Sequence, residues 1–310
     1  MLSGGLDPGA ESRIYCAEKR NMISILCMIG AHVDVLYRLR SPARPGLSVP
    51  STREIGVGGC ALNVAAGLSV LGINVSHGGI RGWDSDGEAV AAILRERQVA
   101  DVGATLPDVT TAHYAALVEP SGSLALATAA MDAYDRSDTL LDHPPLRQAA
   151  ATADVMVLDV NAPPHTIRRL ADLRGKDTHL VLLATSTDKV RHLEPVLSDA
   201  AILFANAGEW QAIADVQADV AHAVVSDGER GATLHANGEP TDHFAAHEVE
   251  VADVIGAGDA LCAGTLRAWS SGVPLSLAIE DGIAAAARCV SHPGALGWLA
   301  APNLPMRYYP

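Results

Sequence analysis

The chain has 310 residues, of which 49% are hydrophobic and 19% charged, so it can bury a large core and is not expected to be disordered. Its formal net charge of -14, with no long run of Lys or Arg, argues against nucleic acid as a partner. The five scattered cysteines form no C-x-x-C pair, which argues against a disulfide framework or structural zinc and favours a reducing cytoplasm.

The amino-terminal segment contains one stretch that imitates a targeting signal. Residues 1–21 show no hydrophobic periodicity, so we expect a disordered extension, and Met22 is a candidate for the functional start. Two basic residues precede the apolar stretch Met22 to Ala31, but His32 and Asp34 interrupt it, and it is shorter than the ~20 residues of a membrane span. We interpret it as a buried first strand and predict a cytoplasmic protein that contacts no membrane.

Short apolar runs alternate with segments of helical periodicity along residues 22–310, which is typical of βα units that build one domain on a mainly parallel sheet. The predicted strands are Ile23 to Ile29, Val155 to Asp159, His179 to Ala184, Ala201 to Ala205 and Ala223 to Ser226. The predicted helices are Ala61 to Leu71, Gly87 to Arg97, Thr166 to Leu173, Gly258 to Ser270 and Leu275 to Val290.

Two stretches interrupt this alternation. One is residues 47–56, and the other is the pair Thr111 to Val118 and Leu124 to Thr128, which has the pattern of a β-hairpin. Neither is followed by a helix that could cover it. We therefore predict a small sheet near residues 47–56 and 111–128 that projects from the main domain as a lid.

The strongest local signal is Gly256-Ala257-Gly258-Asp259, which runs directly into a helical pattern. Small residues before a helix allow backbone N–H groups to converge, and the positive end of the helix attracts phosphate. A carboxylate at this place is suited to accept a proton from an attacking hydroxyl, as in a kinase. Alternatively, Asp259 only occupies the first helical turn, where acidic residues are favoured. This motif alone leaves both interpretations open.

A second signal is the pair Gly58-Gly59, which opens a helix with Asn63 on its first turn. Glycines permit a ligand to approach the backbone closely, and Asn offers a donor and an acceptor to a polyol. Asp34, which follows the first predicted strand, is a candidate for gripping sugar hydroxyls. Considered singly, these residues are better explained by a glycine-rich turn, a locally bonded Asn and a turn Asp than by ligand binding.

Taken in order, these segments resemble the ribokinase-like (PfkB) family of carbohydrate kinases. Residues 58–72 resemble the first family signature and residues 253–259 the second. Between them, residues 82–87 are similar to the family's G-x-D-x-x-G turn, residues 206–209 to its N-x-x-E motif, and residues 226–231 to its nucleotide loop. The matches run in the right order from about Ile25 to Ala295 and thus cover most of the chain.

The resemblance implies a ribokinase-like three-layer α/β/α sandwich, with a mostly parallel central sheet and a small β lid. It also implies an ATP-dependent kinase for a sugar or nucleoside hydroxyl that uses Mg²⁺ and leaves open a monovalent cation such as K⁺ near Asp253. The resemblance implies that Asp259 is the general base and that the amides of Gly256, Ala257 and Gly258 form an anion hole. It implies that the substrate is bound by Asp34, Gly58, Gly59 and Asn63. It also implies that ATP and water-bound Mg²⁺ are held by Asn206 and Glu209, and that the nucleotide loop contributes Ser226, Gly228 and Gly231.

The chain departs from the family pattern at four positions. Val254 and Ile255 replace two hydroxyl residues of the second signature, so the backbone and Asp259 must carry that site. Ile283 stands where relatives often have a polar residue near the nucleotide, and His32 stands where Asn is common. Because of these departures, the family pattern predicts the nucleotide and the substrate of this chain less closely.

Within the family, the segments Met131-Asp132 and Asp159-Val160-Asn161 look most like pseudouridine kinases, and Lys189 lies where those enzymes often carry a lysine. This likeness implies the 5′-hydroxyl of pseudouridine as the acceptor, with Asp132 and Lys189 as substrate-binding residues. Two alternatives stay open for these residues: Asp132 is a capping acid, and Lys189 is a solvated charge. Ribose, adenosine or another sugar also stays open as the substrate.

Other classes are less well supported. The chain has no strong G-x-G-x-x-G between a first strand and a helix, as a dinucleotide-dependent oxidoreductase would require. A zinc enzyme could be imagined from His243 and His247, but no Glu lies between them and the stretch is not clearly helical. An inactive sugar-binding regulator is disfavoured by the intact glycines and Asp259. The exposed edges predicted for the lid also allow a homodimer through it.

Overall fold

The computed structural model describes residues 23–300, so the predicted extension and the candidate start at Met22 lie outside the described residues. The strands are β1 (Ser24–Met28), β2 (His32–Leu39), β3 (Ser51–Gly58), β4 (Asn74–Gly78), β5 (Ile80–Gly82), β6 (Ala100–Asp101), β7 (Ala104–Leu106), β8 (His113–Val118), β9 (Leu124–Ala130), β10 (Val155–Asp159), β11 (His179–Leu183), β12 (Ala200–Asn206), β13 (His222–Ser226), β14 (Ala232–Ala236) and β15 (Glu239–Phe244). The α-helices are α1 (Cys60–Val70), α2 (Ser85–Glu96), α3 (Pro144–Thr152), α4 (Pro164–Ala171), α5 (Ala207–Ala212), α6 (Ala257–Trp269) and α7 (Leu275–Val290). None of these described helices is both long and apolar enough to cross a membrane.

The main sheet has nine strands in the order β15-β14-β13-β12-β11-β10-β1-β4-β6. From β6 to β13 the neighbouring strands are parallel, and only β14 and β15 are added antiparallel at one edge. The five strands predicted from apolar runs lie side by side from β13 to β1. Their unbroken apolar character follows from this place, because a parallel strand covered by helices on both faces needs apolar side chains on both.

Successive residues of β1 show the two cores that make the fold a three-layer sandwich. Leu26 and Met28 pack on one face, with side chains from α3, α4 and the 3₁₀ segment Val190–Asp199. Ile25 and Cys27 pack on the other face, with side chains from α1, α2, α6 and α7. Because side chains alternate along a strand, each strand packs against both helical layers. The predicted fold class is confirmed.

The lid is a second sheet with the strand order β3-β2-β8-β9. Strand β2 is missing from the sequence prediction, which leaves Asp34 just past the first strand as either a turn residue or a carboxylate for sugar hydroxyls. In the structure Asp34 lies within β2, so the turn alternative is wrong. The physical signal was the alternation of buried Val33 and Val35 with the polar, half-buried His32 and Asp34. It was obscured because β2 follows β1 after only a short bend, and the two apolar runs merge.

Helices α6 and α7 pack closely because glycines lie at their contact. A Cβ built on Gly264 of α6 would lie 2.7 Å from the backbone oxygen of Asp281 and 2.9 Å from the Cβ of Ala285, both on α7. A backbone oxygen cannot move aside as the end of a flexible side chain can. The close helix contact, which positions the first turn of α6, therefore depends on this glycine.

We expect Gly264→Ala to destabilise the protein, with a lower thermal midpoint by circular dichroism. Helix propensity alone predicts the opposite sign, since Ala in a helix interior is favoured over Gly by about 0.5–1 kcal/mol. Overpacking costs about 1–3 kcal/mol and should outweigh that gain. An unchanged or higher midpoint would show that the two helices can separate without cost.

Candidate active site

Several residues singled out by the sequence, among them Asn206, Glu209 and Asp259, converge at the carboxyl ends of the central parallel strands, where ligands bind in open α/β sheets. Asn206 ends β12, Ser226 ends β13, and the first turn of α6 faces both across a cleft. The cleft is lined by Cys60, Thr185, Asn206, Glu209, Ser226, Val254, Gly256, Ala257, Gly258 and Asp259, among others.

Helix α1 reaches this cleft because its first turn rests on the end of β1. Gly59 has a φ of 108°, and a Cβ there would lie 2.5 Å from the backbone oxygen of Gly30. The same oxygen accepts the N–H of Leu62 at 3.0 Å. A side chain at residue 59 would both strain the backbone and separate the helix from the strand. Gly59 therefore places α1, with Cys60 and Asn63, against α6.

The turn before α6 is shaped by a left-handed residue. Gly256 has a φ of 82°, and a Cβ there would come within 2.6 Å of Ala295. No heavy atom lies within 4 Å of a Cβ built on Gly258, so open space faces that position. The N–H of Ala257 donates to the backbone oxygen of Val254 at 3.3 Å, whereas those of Gly258 and Asp259 have no acceptor within the helix. These amides and the helix end can face an anion.

The carboxylate of Asp253 holds the loop that leads into this turn. One of its oxygens accepts the N–H of Ile255 at 3.0 Å, and the other accepts that of Gly294 at 3.0 Å. The side chains of Val254 and Ile255 are exposed, so neither replaces the missing hydroxyl residues of the motif. Asp253 therefore supports the backbone of the anion site.

Asp259 is joined to α1 by a hydrogen bond from the side-chain amide of Asn63, with an Nδ2–Oδ2 distance of 2.8 Å. Burial raises the pKa of Asp259 to about 6, while hydrogen bonds from Asn63 and from the Cys60 thiol oppose that shift. The other amide atom of Asn63, Oδ1, is buried and has no partner among the described residues. An orphaned buried acceptor is costly, so this oxygen is poised to accept a hydrogen bond from a ligand hydroxyl.

Asn206 and Glu209 form a reciprocal capping box at the start of α5. The Asn206 side chain accepts the N–H of Glu209 at 2.9 Å, and the Glu209 carboxylate accepts the N–H of Asn206 at 2.8 Å. Burial, together with the nearby charge of Asp259, raises the pKa of Glu209 to about 7. A bound cation would relieve this repulsion between carboxylates. No group of three or more His, Cys, Asp or Glu side chains among residues 23–300 could hold a metal by itself.

A groove continues from the cleft past the first turn of α6. Ser226, Gly228 and Gly231 of the predicted nucleotide loop line it together with Ile283. Apolar side chains of Val249, Val251, Val254, Leu261 and Val290 form much of the rest of its lining. Ile283 therefore presents an apolar surface where relatives often have a polar residue. The groove is suited to a flat apolar ring attached to a phosphate chain.

At the base of the lid, the carboxylate of Asp34 lies between His32 on its own strand and Gly58 on β3. Its Oδ1 lies 3.3 Å from His32 Nε2, and a Cβ built on Gly58 would collide with its Oδ2. Gly58 is therefore needed for clearance rather than for an unusual backbone angle. His32 Nδ1 lies 3.0 Å from the hydroxyl of Tyr134, so the imidazole bridges a carboxylate and a buried phenol.

Tyr134 fixes this network to the backbone. Its hydroxyl accepts the N–H of Ala31 at 3.0 Å and lies 3.0 Å from the oxygen of the same residue. The sequence does not single out Tyr134, which is buried in the 3₁₀ segment Asp132–Asp142 and about a hundred residues from its partners. Its only sequence signal was a lone aromatic residue after the hairpin.

A buried carboxylate, Asp159, lies beneath the substrate side of the cleft. It accepts the N–H of Gly30 at 2.8 Å and that of Asn161 at 2.9 Å, while burial raises its pKa. The side chain of Lys189 approaches Asn161, with an Nζ–Oδ1 distance of 3.4 Å. Asp132 is exposed in the first turn of its 3₁₀ segment. Lys189 and Asn161 are thus brought together by the fold.

Two other motifs have structural roles. Asp84 of the G-x-D-x-x-G turn caps α2 through the N–H of Gly87 at 2.7 Å and accepts the N–H of Thr111 at 2.8 Å, which ties α2 to the segment before β8. His243 lies in β15, where its Nδ1 is 3.2 Å from the hydroxyl of Thr233. The pair His243 and His247 is therefore not on a helix, as a zinc-binding H-x-x-x-H pair would require.

Comparisons with known proteins identify the family of the chain. Residues 26–300 match the family model described as pfkB family carbohydrate kinase. A carbohydrate kinase from Agrobacterium tumefaciens has a TM-score of 0.77 and 32% identity, over 88% of this chain and 92% of that chain. The Arabidopsis thaliana ribokinase complexed with ribose and ATP has a TM-score of 0.76 and 21% identity, over 89% of this chain and 95% of that chain.

A nucleoside kinase from Methanocaldococcus jannaschii, an archaeal member of the ribokinase family, has a TM-score of 0.72 and 17% identity, over 88% of this chain and 93% of that chain. The comparison with curated proteins finds no match. Because the family model spans most of the chain and a solved relative shares 32% of its residues, this protein belongs to the pfkB family of carbohydrate kinases, which are phosphotransferases with an alcohol group as acceptor.

Proposed function

We propose that the protein transfers the γ-phosphoryl group of ATP to a sugar hydroxyl, with the 5′-hydroxyl of pseudouridine as the acceptor. The observation that carries the kinase proposal is the position of Asp259: a carboxylate with a raised pKa, one turn inside a helix whose free amides face open space. An inactive regulator would not need a base there. The intact Asn63–Asp259 hydrogen bond and the clear space at Gly258 favour an active enzyme.

In the proposed reaction, Asp259 accepts the proton of the acceptor hydroxyl as the hydroxyl oxygen attacks the γ-phosphorus. The bond from that phosphorus to the β–γ bridging oxygen breaks, and ADP leaves. The amides at the start of α6 stabilise the charge on the transferring oxygens, as fixed donors do at roughly 3 kcal/mol each. A positioned base typically contributes ~10² to 10⁴ in rate. The lid excludes water, which would otherwise accept the phosphoryl group.

The oxygen donors at the cleft fit Mg²⁺ held through water. Glu209 and Asn206 offer hard oxygen ligands on the lining of the same cleft as Asp259, and the pKa of Glu209 is raised mainly by burial and further by the charge of Asp259. A magnesium ion keeps several waters and would neutralise the phosphate charge of ATP. Because Glu209 also caps α5, its carboxylate is already oriented toward the cleft.

The pseudouridine proposal is supported by the polar groups beyond the sugar site. Lys189 and Asn161 lie together next to the buried Asp159, and they offer donors and an acceptor to the carbonyl and imide groups of a uracil ring. Asp132, exposed at the start of the 3₁₀ segment Asp132–Asp142, is the proposed acceptor for an imide N–H. Ribose, adenosine and other sugars are the competing substrates.

We expect the purified protein with Mg-ATP to phosphorylate pseudouridine faster than uridine, ribose, adenosine or fructose in a coupled ADP-release assay. Chelation of Mg²⁺ should stop the reaction, and added Mg²⁺ should restore it. If another acceptor is phosphorylated much faster, that acceptor replaces pseudouridine as the proposed substrate, and the kinase proposal still holds. ATP consumption that does not depend on any added sugar would contradict the kinase proposal.

Asp259→Asn should abolish phosphoryl transfer while substrate affinity, measured by calorimetry without ATP, changes little. Asn keeps an oxygen for the amide of Asn63 but cannot accept a proton. In the unsubstituted enzyme, kcat/KM should fall about tenfold per pH unit below pH 6, because the base must be ionised. Near-normal turnover by the variant would show that Asp259 is not the general base.

The ionisation of Asp259 affects the free energy of folding with the opposite sign from that of a typical carboxylate. The pKa of Asp259 is raised from 3.8 to about 6 in the folded protein, so this group makes folding less favourable as the pH rises through that range. At pH 8, Asp259→Asn should therefore be at least as stable as the unsubstituted protein. A clearly lower thermal midpoint would mean that the ionised carboxylate stabilises the fold.

We also propose that the lid faces a second copy of the chain. On the face of the lid opposite Asp34, beyond the part that packs on α2, Leu126 is 64% exposed and lies in register with Leu117 and Tyr37, and Ile55 in the neighbouring row is 56% exposed. Strands β3 and β9 are the sheet edges, so they also offer unpaired backbone groups. A contiguous apolar surface of this kind is typical of a protein–protein contact.

Leu126→Lys should shift the protein from dimer to monomer in light scattering after size-exclusion chromatography, because a charge cannot be buried there without a partner. The matched control is Leu277→Lys, at the start of α7, which replaces a leucine that is 45% exposed and lies outside the lid. A monomeric unsubstituted protein, or equal effects of both substitutions, would contradict a lid-mediated dimer.

A further inference from the structure

The lid carries one aromatic side chain beside Asp34 that has no assigned role. Tyr114 on β8 is in parallel register with Asp34 on β2. Residues in register on neighbouring strands point to the same face, and their backbones lie about 4.8 Å apart. Asp34 faces the cleft, since its carboxylate lies 3.3 Å from His32 and fills the space that a Cβ on Gly58, next to the start of α1, would occupy. Tyr114 therefore faces the cleft as well.

The preceding residue confirms this orientation independently. His113 must point to the opposite face of β8, and its Nδ1 lies 3.2 Å from Asp86 at the start of α2. Val33, its partner in register on β2, is buried on that same side. The face toward α2 is thus filled, and the ring of Tyr114 lies on the other face.

The neighbours of Tyr114 in this row leave room over its ring. Asp34 is paired with Gly56 on β3, and Tyr114 is paired with Ala129 on β9. The next row contributes Ala116 and Ala127 beside Leu36. Tyr114 is only half-buried, and its hydroxyl has no hydrogen-bond partner among the described residues. A tyrosine that packed for stability alone would be flanked by side chains that cover it.

A simple sugar held by Asp34 and Asn63 would occupy the hydroxyl-binding part of the cleft and would not need an aromatic surface one strand away. A nucleoside held by the same two residues carries a planar base beside its ribose. Stacking of a base on an aromatic side chain contributes about 1–3 kcal/mol and tolerates different bases, because every base has a π-face.

We propose that Tyr114 is a specificity-determining residue that stacks on the base of a nucleoside substrate and thereby favours nucleosides over free sugars. The inference rests on the proposed sugar or nucleoside kinase function and narrows its substrate class. The proposed role belongs to the aromatic ring of Tyr114 and not to its hydroxyl. Phenylalanine should therefore replace Tyr114, whereas an aliphatic residue should not.

The test measures binding without ATP, so it does not depend on turnover. Isothermal titration of pseudouridine, uridine, adenosine and ribose should give the tightest binding for a nucleoside in the unsubstituted protein. Tyr114→Ala should raise the dissociation constant of that nucleoside about 10- to 100-fold, which corresponds to about 1.4–2.7 kcal/mol. The dissociation constants of ribose and ATP should stay within about twofold.

Three further variants separate stacking on the ring from a general loss of packing in the lid. Tyr114→Phe should bind the nucleoside nearly normally, and Tyr114→Leu, which keeps apolar bulk in the lid, should bind it as weakly as Tyr114→Ala. Tyr37→Ala removes a tyrosine from the opposite face of the lid and should leave nucleoside binding unchanged. Thermal midpoints measured in parallel report whether each lid is folded.

The proposal is overturned if nucleosides bind no more tightly than ribose, if Tyr114→Ala and Tyr114→Leu leave nucleoside binding unchanged, or if they weaken ribose equally. Phosphorylation of ribose or another free sugar in any of these cases would leave the kinase proposal standing. Failure to phosphorylate any acceptor, with tight nucleoside binding intact, would instead overturn the kinase proposal and leave the role of Tyr114 in place.

Discussion

The close approach of Gly59 to the backbone of Gly30 determines where the site forms. Without a side chain at residue 59, the first turn of α1 can rest on the end of β1 and donate the N–H of Leu62 to the Gly30 oxygen. One turn further along, Asn63 then reaches Asp259 on α6. The catalytic carboxylate proposed here is thus positioned by a backbone contact on the opposite side of the cleft, together with the close packing of α6 on α7.

This arrangement concentrates acidic groups in a small volume. Burial raises the pKa values of Asp159, Glu209 and Asp259, and each of the three is held by hydrogen-bond donors from backbone or amide groups. His32 lies close enough to lower the pKa values of both Asp159 and Asp259. His32 therefore places an imidazole beside these carboxylates on the substrate side of the cleft. The nucleotide side relies on the end of α6.

The central fold was predictable because its signals are local. Apolar runs such as Val155 to Asp159 mark buried parallel strands, and glycines before a helix mark Gly256 to Gly258 whatever lies elsewhere in the chain. The lid was less predictable. Strand β2 follows β1 after a short bend, so the two apolar runs merge, and its pairing with β8 joins residues about eighty positions apart.

The supporting residues of the site were not predictable for the same reason. Tyr134 and Asp159 act on Ala31 and Gly30 through contacts that bridge more than a hundred residues, and nothing in their own neighbourhood reveals a partner. Some motif residues also have a second role that only the structure reveals. Asp84 connects α2 to the lid, and Asn206 with Glu209 begins α5.

The lid contributes Asp34 to the site, whereas Asp259 belongs to the main domain. A ligand that touches both carboxylates therefore connects the two sheets as a molecular bridge. If Asp34 and Asp259 bind the acceptor as proposed, closing the cleft and recognising the acceptor become a single thermodynamic event, because the same hydroxyls hold the lid in place. Without an acceptor that bridge is absent, and so are the contacts that would exclude water from ATP. The proposed roles thus link economy in ATP use to the placement of one aspartate on a lid strand rather than on the main sheet.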